Sequence, residues 1–360
     1  MVNPNAMAFT RVGATTKRTL DTHLGMVINV RDFGATGSGS GDDSAAIQAA
    51  FNVAFGTAGS PHGNAGRFTN RPVYFPSGSY NILSPLYLTN VQGGYIFGDS
   101  MLSSRIAYNG SLSGNTLIAN GITPAIMTNG FRYSRMEKLN VAIGGANTAA
   151  IYLFETGSTS GSVNQNVFSE ILVESALAGF LIGYQADNAY AMCSENTFIG
   201  CSAIGCGFGF RSIFSNALNN RLVNCSASSC TTHGVSCPQG AILLDGGSFA
   251  GNAIDISAGQ EPMVINGSRS ESANFVDVSS SSGVVHTMMG CAQAAGAGAG
   301  YFLNLGSGSK VIIDASNQQD SLSTAGKIVG PVGSTIYLRG SHFTNTSYLT
   351  SFSGTVGQNI

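Results

Sequence analysis

Asp255 and Asp277 are the residues whose type and spacing first suggest chemistry. Each is the third residue of a four-residue segment, AIDI (253–256) and FVDV (275–278), in what read as successive repeats. If these segments are neighbouring strands and both side chains face outward, their Cα atoms lie about 4.8 Å apart. Two carboxyl groups that close repel, one pKa rises, and a proton is held near neutrality. A carboxyl pair of this kind is what glycosidic bond cleavage requires. The other reading of the column is a solvated polar stripe continuing into Asn304. A second group is Tyr184, Asp187, Tyr190 and Glu195, within GYQADNAYAMCSEN (183–196). Tyrosine rings stack on sugar faces and carboxylates accept hydroxyl protons, so the group suits sugar binding; the alternative is a loop packed in a subunit interface. A third is VRDFGATGSGSGDDSAAIQAAF (30–51), which places Gly34, Gly37, Gly39 and Gly41 before the adjacent Asp42 and Asp43.

The third group is read as structure. No Lys follows the glycines in the order a phosphate loop needs, and no strand–helix–strand unit follows. Asp42 or Asp43 can serve as the N-cap of a helix, with the other carboxylate near its positive end. Ile47, Ala50, Phe51 and Ala54 then share one face at i, i+3, i+4, i+7 spacing. Such a helix covers the open apolar end of a stacked-repeat protein.

The elements that must position the candidate residues are repeats. FSEILVES (168–175), FIGCSAIG (198–205), LVNCSASS (222–229), LLDGGSFA (243–250), VINGSRSE (264–271), IIDASNQQ (312–319) and YLRGSHFT (337–344) stack on one another. Their third residues form a bend column: Glu170, Gly200, Asn224, Asp245, Asn266, Asp314 and Arg339, with Lys138 before and Met289 fitted between. A second strand follows about ten residues later in each unit and alternates with period two. Repeats of 21 to 32 residues with two strands and no helical period predict a parallel β-helix. The columns beginning Phe168 and Ile199 are both apolar, so one of them is expected to face a neighbouring subunit. Cys201 with Cys225, and Cys206 with Cys230, fall in shared columns whose parallel Cβ vectors suit a disulfide poorly, and they are read as small core residues.

Residues 27–82 carry a resemblance. Asp32-Phe33-Gly34-Ala35, Asp42-Asp43, Ala46-Ile47-Gln48, Val73-Tyr74-Phe75-Pro76, Gly78 and Tyr80 are similar to the N-terminal signature of the pectate-lyase-like right-handed β-helix superfamily. The resemblance implies an all-β, single-stranded right-handed parallel β-helix with an N-terminal capping helix. In it Asp32, Phe33, Gly34, Asp42 and Asp43 build the cap, not the catalytic centre. Arg18-Thr19-Leu20 followed by Val30-Arg31-Asp32 resembles the junction of bacteriophage tailspikes and tail fibres. That likeness implies a homotrimer in the virion that contacts host surface polysaccharide, often as a depolymerase. The expected organisation is a particle-attachment segment (1–24) contacting other tail or baseplate proteins, a cap with first coils (25–135), rungs (136–345) and a C-terminal tail (346–360). The motifs of polygalacturonases are missing apart from His233-Gly234, which reads as a turn, and no acidic calcium cluster is legible. The rival readings are a free polysaccharide lyase or glycoside hydrolase of the same fold, and a non-enzymatic tail fibre or decoration protein.

Composition agrees with these expectations. The chain has 360 residues, 9% charged, with a net charge of −2. There is no basic field for nucleic acid. No apolar run is long enough to insert in a membrane, and the first residues lack the shape of a signal peptide. Seven cysteines without a CxxC pair, and five scattered histidines, predict no metal site. No cofactor is expected.

Overall fold

A computed structural model describes residues 8–9, 18–19, 25–56, 70–110, 123–144, 148–153, 162–183, 192–281, 283–294, 300–319, 328–343, 349 and 351–358. Its organising feature is a column of left-handed corners. Lys138, Glu170, Gly200, Asn224, Gly246, Gly267, Gly290, Ala315 and Gly340 all have φ between 44° and 75°. Glycine and asparagine tolerate that region because their steric penalty is small. The corners stack: the Asn224 N–H donates to the Asp245 carbonyl at 2.9 Å, and the Gly246 N–H to the Asn266 carbonyl at 2.7 Å.

At Lys138 and Glu170 one strand runs through the corner, Arg135–Ile143 and Val167–Glu174, and from Gly200 onward the corner breaks what the sequence presents as one strand into two. The segments before it, such as Thr197–Ile199 and Asn220–Val223, form one parallel ladder. Those after it, such as Ser202–Ile204 and Ser226–Ser228, form a second. The third strand of each turn joins a ten-stranded parallel sheet running from Leu86–Thr89 to Ile328–Val329. The chain is therefore a right-handed parallel β-helix with three strands per turn, where the sequence suggested two. The segment Thr355–Gln358, near the C-terminus, adds one more strand to the first ladder. Ala8–Phe9 and Arg18–Thr19 form an antiparallel pair; the rest of 1–24 lies outside the described residues.

The predicted stacking is correct as far as Leu222, then slips by one. Leu222 pairs with Leu244, not Leu243, and Leu244 pairs with Ile265. Ile265, Met288, Ile313 and Leu338 continue that column. A slip of one residue exchanges the two faces of a strand. Phe168, Phe198, Leu222, Leu244, Ile265, Met288 and Ile313 thus point inward and are buried, while Leu243, Val264, Ile312 and Tyr337 lie outside, half-buried. The two adjacent apolar columns were one inner and one outer column mixed. Asp245, Asn266, Asp314 and Arg339 stand one residue before the bend.

Helix α1, Ser44–Phe55, closes one end of the rod. Ile47, Ala50, Phe51 and Ala54 are buried as expected, and Phe51 meets Phe75 edge-on at 6.1 Å. Gln48 clamps the helix to the third sheet: its Oε1 accepts from the Tyr87 N–H at 2.8 Å and its Nε2 donates to the Tyr87 carbonyl at 3.1 Å. The two aspartates divide the cap between them. Asp43 occupies the N-cap position, yet its carboxylate turns back to accept the Thr36 N–H at 2.7 Å and the Gly37 N–H at 3.3 Å. Asp42 accepts the first helical N–H, that of Ser44, at 3.0 Å, and the Leu83 N–H at 3.2 Å. Burial pushes the Asp42 carboxyl up, but a bond from the Ser44 hydroxyl together with these two outweighs it and holds it below the usual range. Asp32 is exposed in a 3-10 turn, Val30–Phe33, that ends on Gly34 at φ 98°, and Phe33 packs on the core.

Inside the rod, polar side chains repeat as regularly as apolar ones. Asn166 Nδ2 donates to Asn196 Oδ1 at 2.9 Å, and Asn196 Nδ2 to Asn220 Oδ1 at 3.0 Å. All three are buried, and they satisfy the backbone of the turn entering the first ladder. The seven cysteines are all buried.

Candidate functional site

The two predicted carboxylates do not form a pair. On the third sheet Ser236 pairs with Ser257, and Ser257 with Asp277. Asp255 stands two residues before Ser257, and its side chain enters the rod, fully buried. There it accepts from Asn252 Nδ2 at 2.8 Å, Ser270 Oγ at 2.5 Å and Ser272 Oγ at 2.6 Å. Burial pushes its carboxyl up, against the lowering effect of these three donors. The cause of the misplacement is a local break in alternation. At this corner two consecutive residues point inward: Asp255 with Ile256, Phe275 with Val276, Phe302 with Leu303. Gly234 shows how tight the position is, since a Cβ there would lie 2.7 Å from the Asp255 carbonyl oxygen.

Asp277 does face outward. Its column on the third sheet runs Met127, Tyr152, Leu181, Arg211, Ser236, Ser257, Asp277, Asn304. The column changes character along the rod. Met127, Tyr152 and Leu181 belong to a small apolar cluster separate from the main core, whereas the positions from Arg211 onward are polar. At the junction the Arg211 guanidinium lies over the Phe208 ring, 4.0 Å from its centroid, and the His233 ring stacks on the same Phe208 at 5.5 Å. Arg211 Nε and His233 Nδ1 are both buried without a hydrogen-bond partner. Burial holds the His233 pKa down, with Arg211 adding to the effect and Asp277 opposing it. Further along, Asp277 accepts from the Ser279 N–H at 2.8 Å, the Tyr301 hydroxyl at 2.9 Å and Asn304 Nδ2 at 3.2 Å. Burial, and then the Asp277 charge, push the Tyr301 phenol well up. The strip therefore offers a cation, a neutral imidazole, a phenol and a carboxylate in succession.

The family described as rhamnogalacturonase A/epimerase, pectate lyase-like, matches residues 27–256. The chain belongs to this family. No curated protein matches the sequence of this pectate lyase-like chain. Solved structures share its fold at low identity. Tailspike protein 2 of Escherichia coli O157:H7 bacteriophage CAB120 is 14% identical with a TM-score of 0.62, over 94% of this chain and 45% of that one. The endo-xylogalacturonan hydrolase of Aspergillus tubingensis is 12% identical with a TM-score of 0.59, over 93% of this chain and 100% of that one. The gp42 tailspike of Acinetobacter phage vb_AbaP_AS12 is 14% identical with a TM-score of 0.51, over 91% and 55%. The chain spans about half the length of these two tailspikes.

Tyr184, Asp187 and Tyr190 lie outside the described residues. Glu195 is exposed in a left-handed turn ahead of Thr197–Ile199, on the way into the first ladder, and so is not on the third-sheet strip. Sequence reasoning missed Arg211, Phe208 and Tyr301, and took His233 for a turn residue. The signal that could have found them is registry: Phe208 with His233 and Arg211 with Ser236 are cross-strand pairs in the same sheet. Among the described residues no group of three His, Cys, Asp or Glu side chains is placed to hold a metal ion.

Proposed function

We propose that this chain is a tailspike-like virion protein that binds bacterial surface polysaccharide along the outer strip of its third sheet. The observation that carries the reading is the succession Phe208, Arg211, His233, Ser257, Asp277, Tyr301 and Asn304 across consecutive rungs. Rungs repeat every 4.8 Å or so, roughly the length of one sugar ring, so a polymer lying along the rod meets a new polar or aromatic group at each step. The tailspike neighbours support the phage setting. In this reading the protein is a homotrimer, residues 1–24 join it to other tail or baseplate proteins, and Tyr184, Asp187, Tyr190 and Glu195 extend the ligand surface. Hydrolysis needs a second carboxyl group opposite Asp277, which Asp255 does not provide.

The test is capture of purified host surface polysaccharide by the full chain and by Arg211→Ala, His233→Ala and Asp277→Asn. Weaker capture by these variants is expected, and capture equal to wild type in all three would overturn the strip as the binding surface. Assays for new reducing ends and for unsaturated uronate on the same polymer separate binding from hydrolysis and from elimination. A second reading, a free polysaccharide-degrading enzyme, draws on the family itself and on a full-length structural match to a hydrolase. A monomeric mass in solution together with cleavage would favour it.

A further inference from the structure

A groove of about 300 Å³ lies on the other side of the rod, on the outer face of the second ladder. Its walls come from Ser79, Arg105, Asn109, Ile143 and Glu174, together with Gly39 from the glycine-rich turn. The ladder dictates this. Ser79 pairs with Arg105 and Arg105 with Asn140, so three successive rungs present polar side chains outward while Ile106, Leu139 and Val141 go into the core.

The polar groups are arranged, not merely gathered. Asn140 is buried, and its Nδ2 donates to Glu174 Oε2 at 2.7 Å. That bond fixes one carboxylate oxygen. Asn140 Oδ1 is buried with no partner, an unmet acceptor behind the wall. Asn109 is held by its Nδ2, which donates to Asn81 Oδ1 at 2.7 Å, leaving its own Oδ1 as an acceptor. Arg105 is exposed, with five N–H donors on its guanidinium. Gly144 keeps the end of the groove open, since a Cβ there would run into Asn109 Oδ1.

We propose that this groove is a second saccharide site that takes a neutral pyranose through a vicinal diol. A diol is the group that donates and accepts at two adjacent atoms, matching an anchored carboxylate beside a guanidinium. One positive and one negative side chain leave the groove without net charge, so an acidic sugar gains from Arg105 and loses to Glu174. Among the described residues no aromatic ring lines the groove, so their contribution to binding rests on hydrogen bonds and is weak. The proposal shares with the preceding reading only the premise that the protein meets glycans; the site is on a different sheet and acts without the strip. Two sites on one rod would hold one polymer, or two, at higher effective concentration.

The experiment is ligand-observed saturation-transfer NMR on the full chain. The probes are methyl α-mannopyranoside, methyl β-galactopyranoside and methyl α-rhamnopyranoside as neutral sugars, with methyl galacturonoside as an acidic one and tetrahydropyran-2-methanol as a ring lacking the diol. At least one pyranoside should saturate and the diol-free ring should not. Arg105→Ala and Glu174→Gln should each weaken binding about tenfold, the loss of one charge-assisted hydrogen bond. Both positions are on the outside of the rod, and an unchanged melting temperature shows that the fold is intact. No signal from any pyranoside, or equal binding in both variants, or tighter binding of methyl galacturonoside than of the neutral sugars, would overturn the proposal. Polymer capture by Arg211→Ala is scored separately. Its loss beside absent groove binding removes the second site and spares the strip; the converse spares the groove.

Discussion

Asp255 and Asp277 sit on consecutive strands of the same sheet and have opposite circumstances. Asp255 is sealed inside the rod, where three neutral donors answer it and burial still raises its pKa. Asp277 is on the outside, shared between a tyrosine, an asparagine and a backbone N–H. The difference teaches that a carboxylate in a β-helix takes its role from the corner it occupies rather than from its repeat. Two residues of displacement along the strand, at a corner where consecutive side chains both turn inward, separate a buried acid from an outward-facing one.

The comparison can be broken most forcefully from the inside. Asp255→Ala leaves three buried donors unmet and should cost about 3 kcal/mol or more in chemical denaturation, whereas Asp277→Ala should cost less than about 1 kcal/mol. Equal losses would mean that the interior polar cluster carries no more of the fold than the surface. Acid titration comes next. Burial lowers the His286 pKa from 6.5 to about 4, with its Nδ1 accepting the Met263 N–H and its Nε2 paired with Ser281. A histidine pKa depressed by folding gives stability that is present above pH 6.5 and is lost as pH falls towards 4, about 3 kcal/mol in all. Asp255 has the opposite sign: its raised pKa gives stability that is full below pH 3.8 and declines as pH rises through the folded value. His286→Gln should flatten the first slope and Asp255→Asn the second, as read from denaturation midpoints across that range. A smaller effect is expected at the outer strip, where Arg211→Ala should weaken polysaccharide capture about tenfold with little change in melting temperature. The smallest is Asp255→Asn at neutral pH. The amide keeps one acceptor and the Ser270 hydroxyl can turn to accept, so stability should stay within about 1 kcal/mol of wild type.

Much of the fold was legible because its signals are local. The DFGA turn, the AIQ helix and the buried face Ile47, Ala50, Phe51 and Ala54 each depend on residues close in sequence. The corner column was legible through Asn224 for the same reason, since Gly and Asn at one offset mark left-handed backbone. It slipped at LLDGGSFA, where Leu243-Leu244 offers two equally apolar registers. The glycine that follows the polar residue, Gly246, Gly267, Gly290 and Gly340, was the better marker, because φ is positive there and not at Asp245 or Asn266. The site was less legible. Period-two reasoning assumes that sides alternate, and at Asp255-Ile256 they do not. Arg211 and His233 gain their meaning only from Phe208 between them, a contact between strands that no single repeat displays.

The asparagines at positions 166, 196 and 220 have a consequence for how the rod can change. Each turn finds its height by an amide handshake with the turn above it, made inside the wall. The amount of chain spent between one handshake and the next is not measured by anything. Sequence can therefore be inserted or removed after Leu153 or Ile182 without the next turn losing its place. The scaffold keeps count on the inside, and the outside is left free to be rewritten.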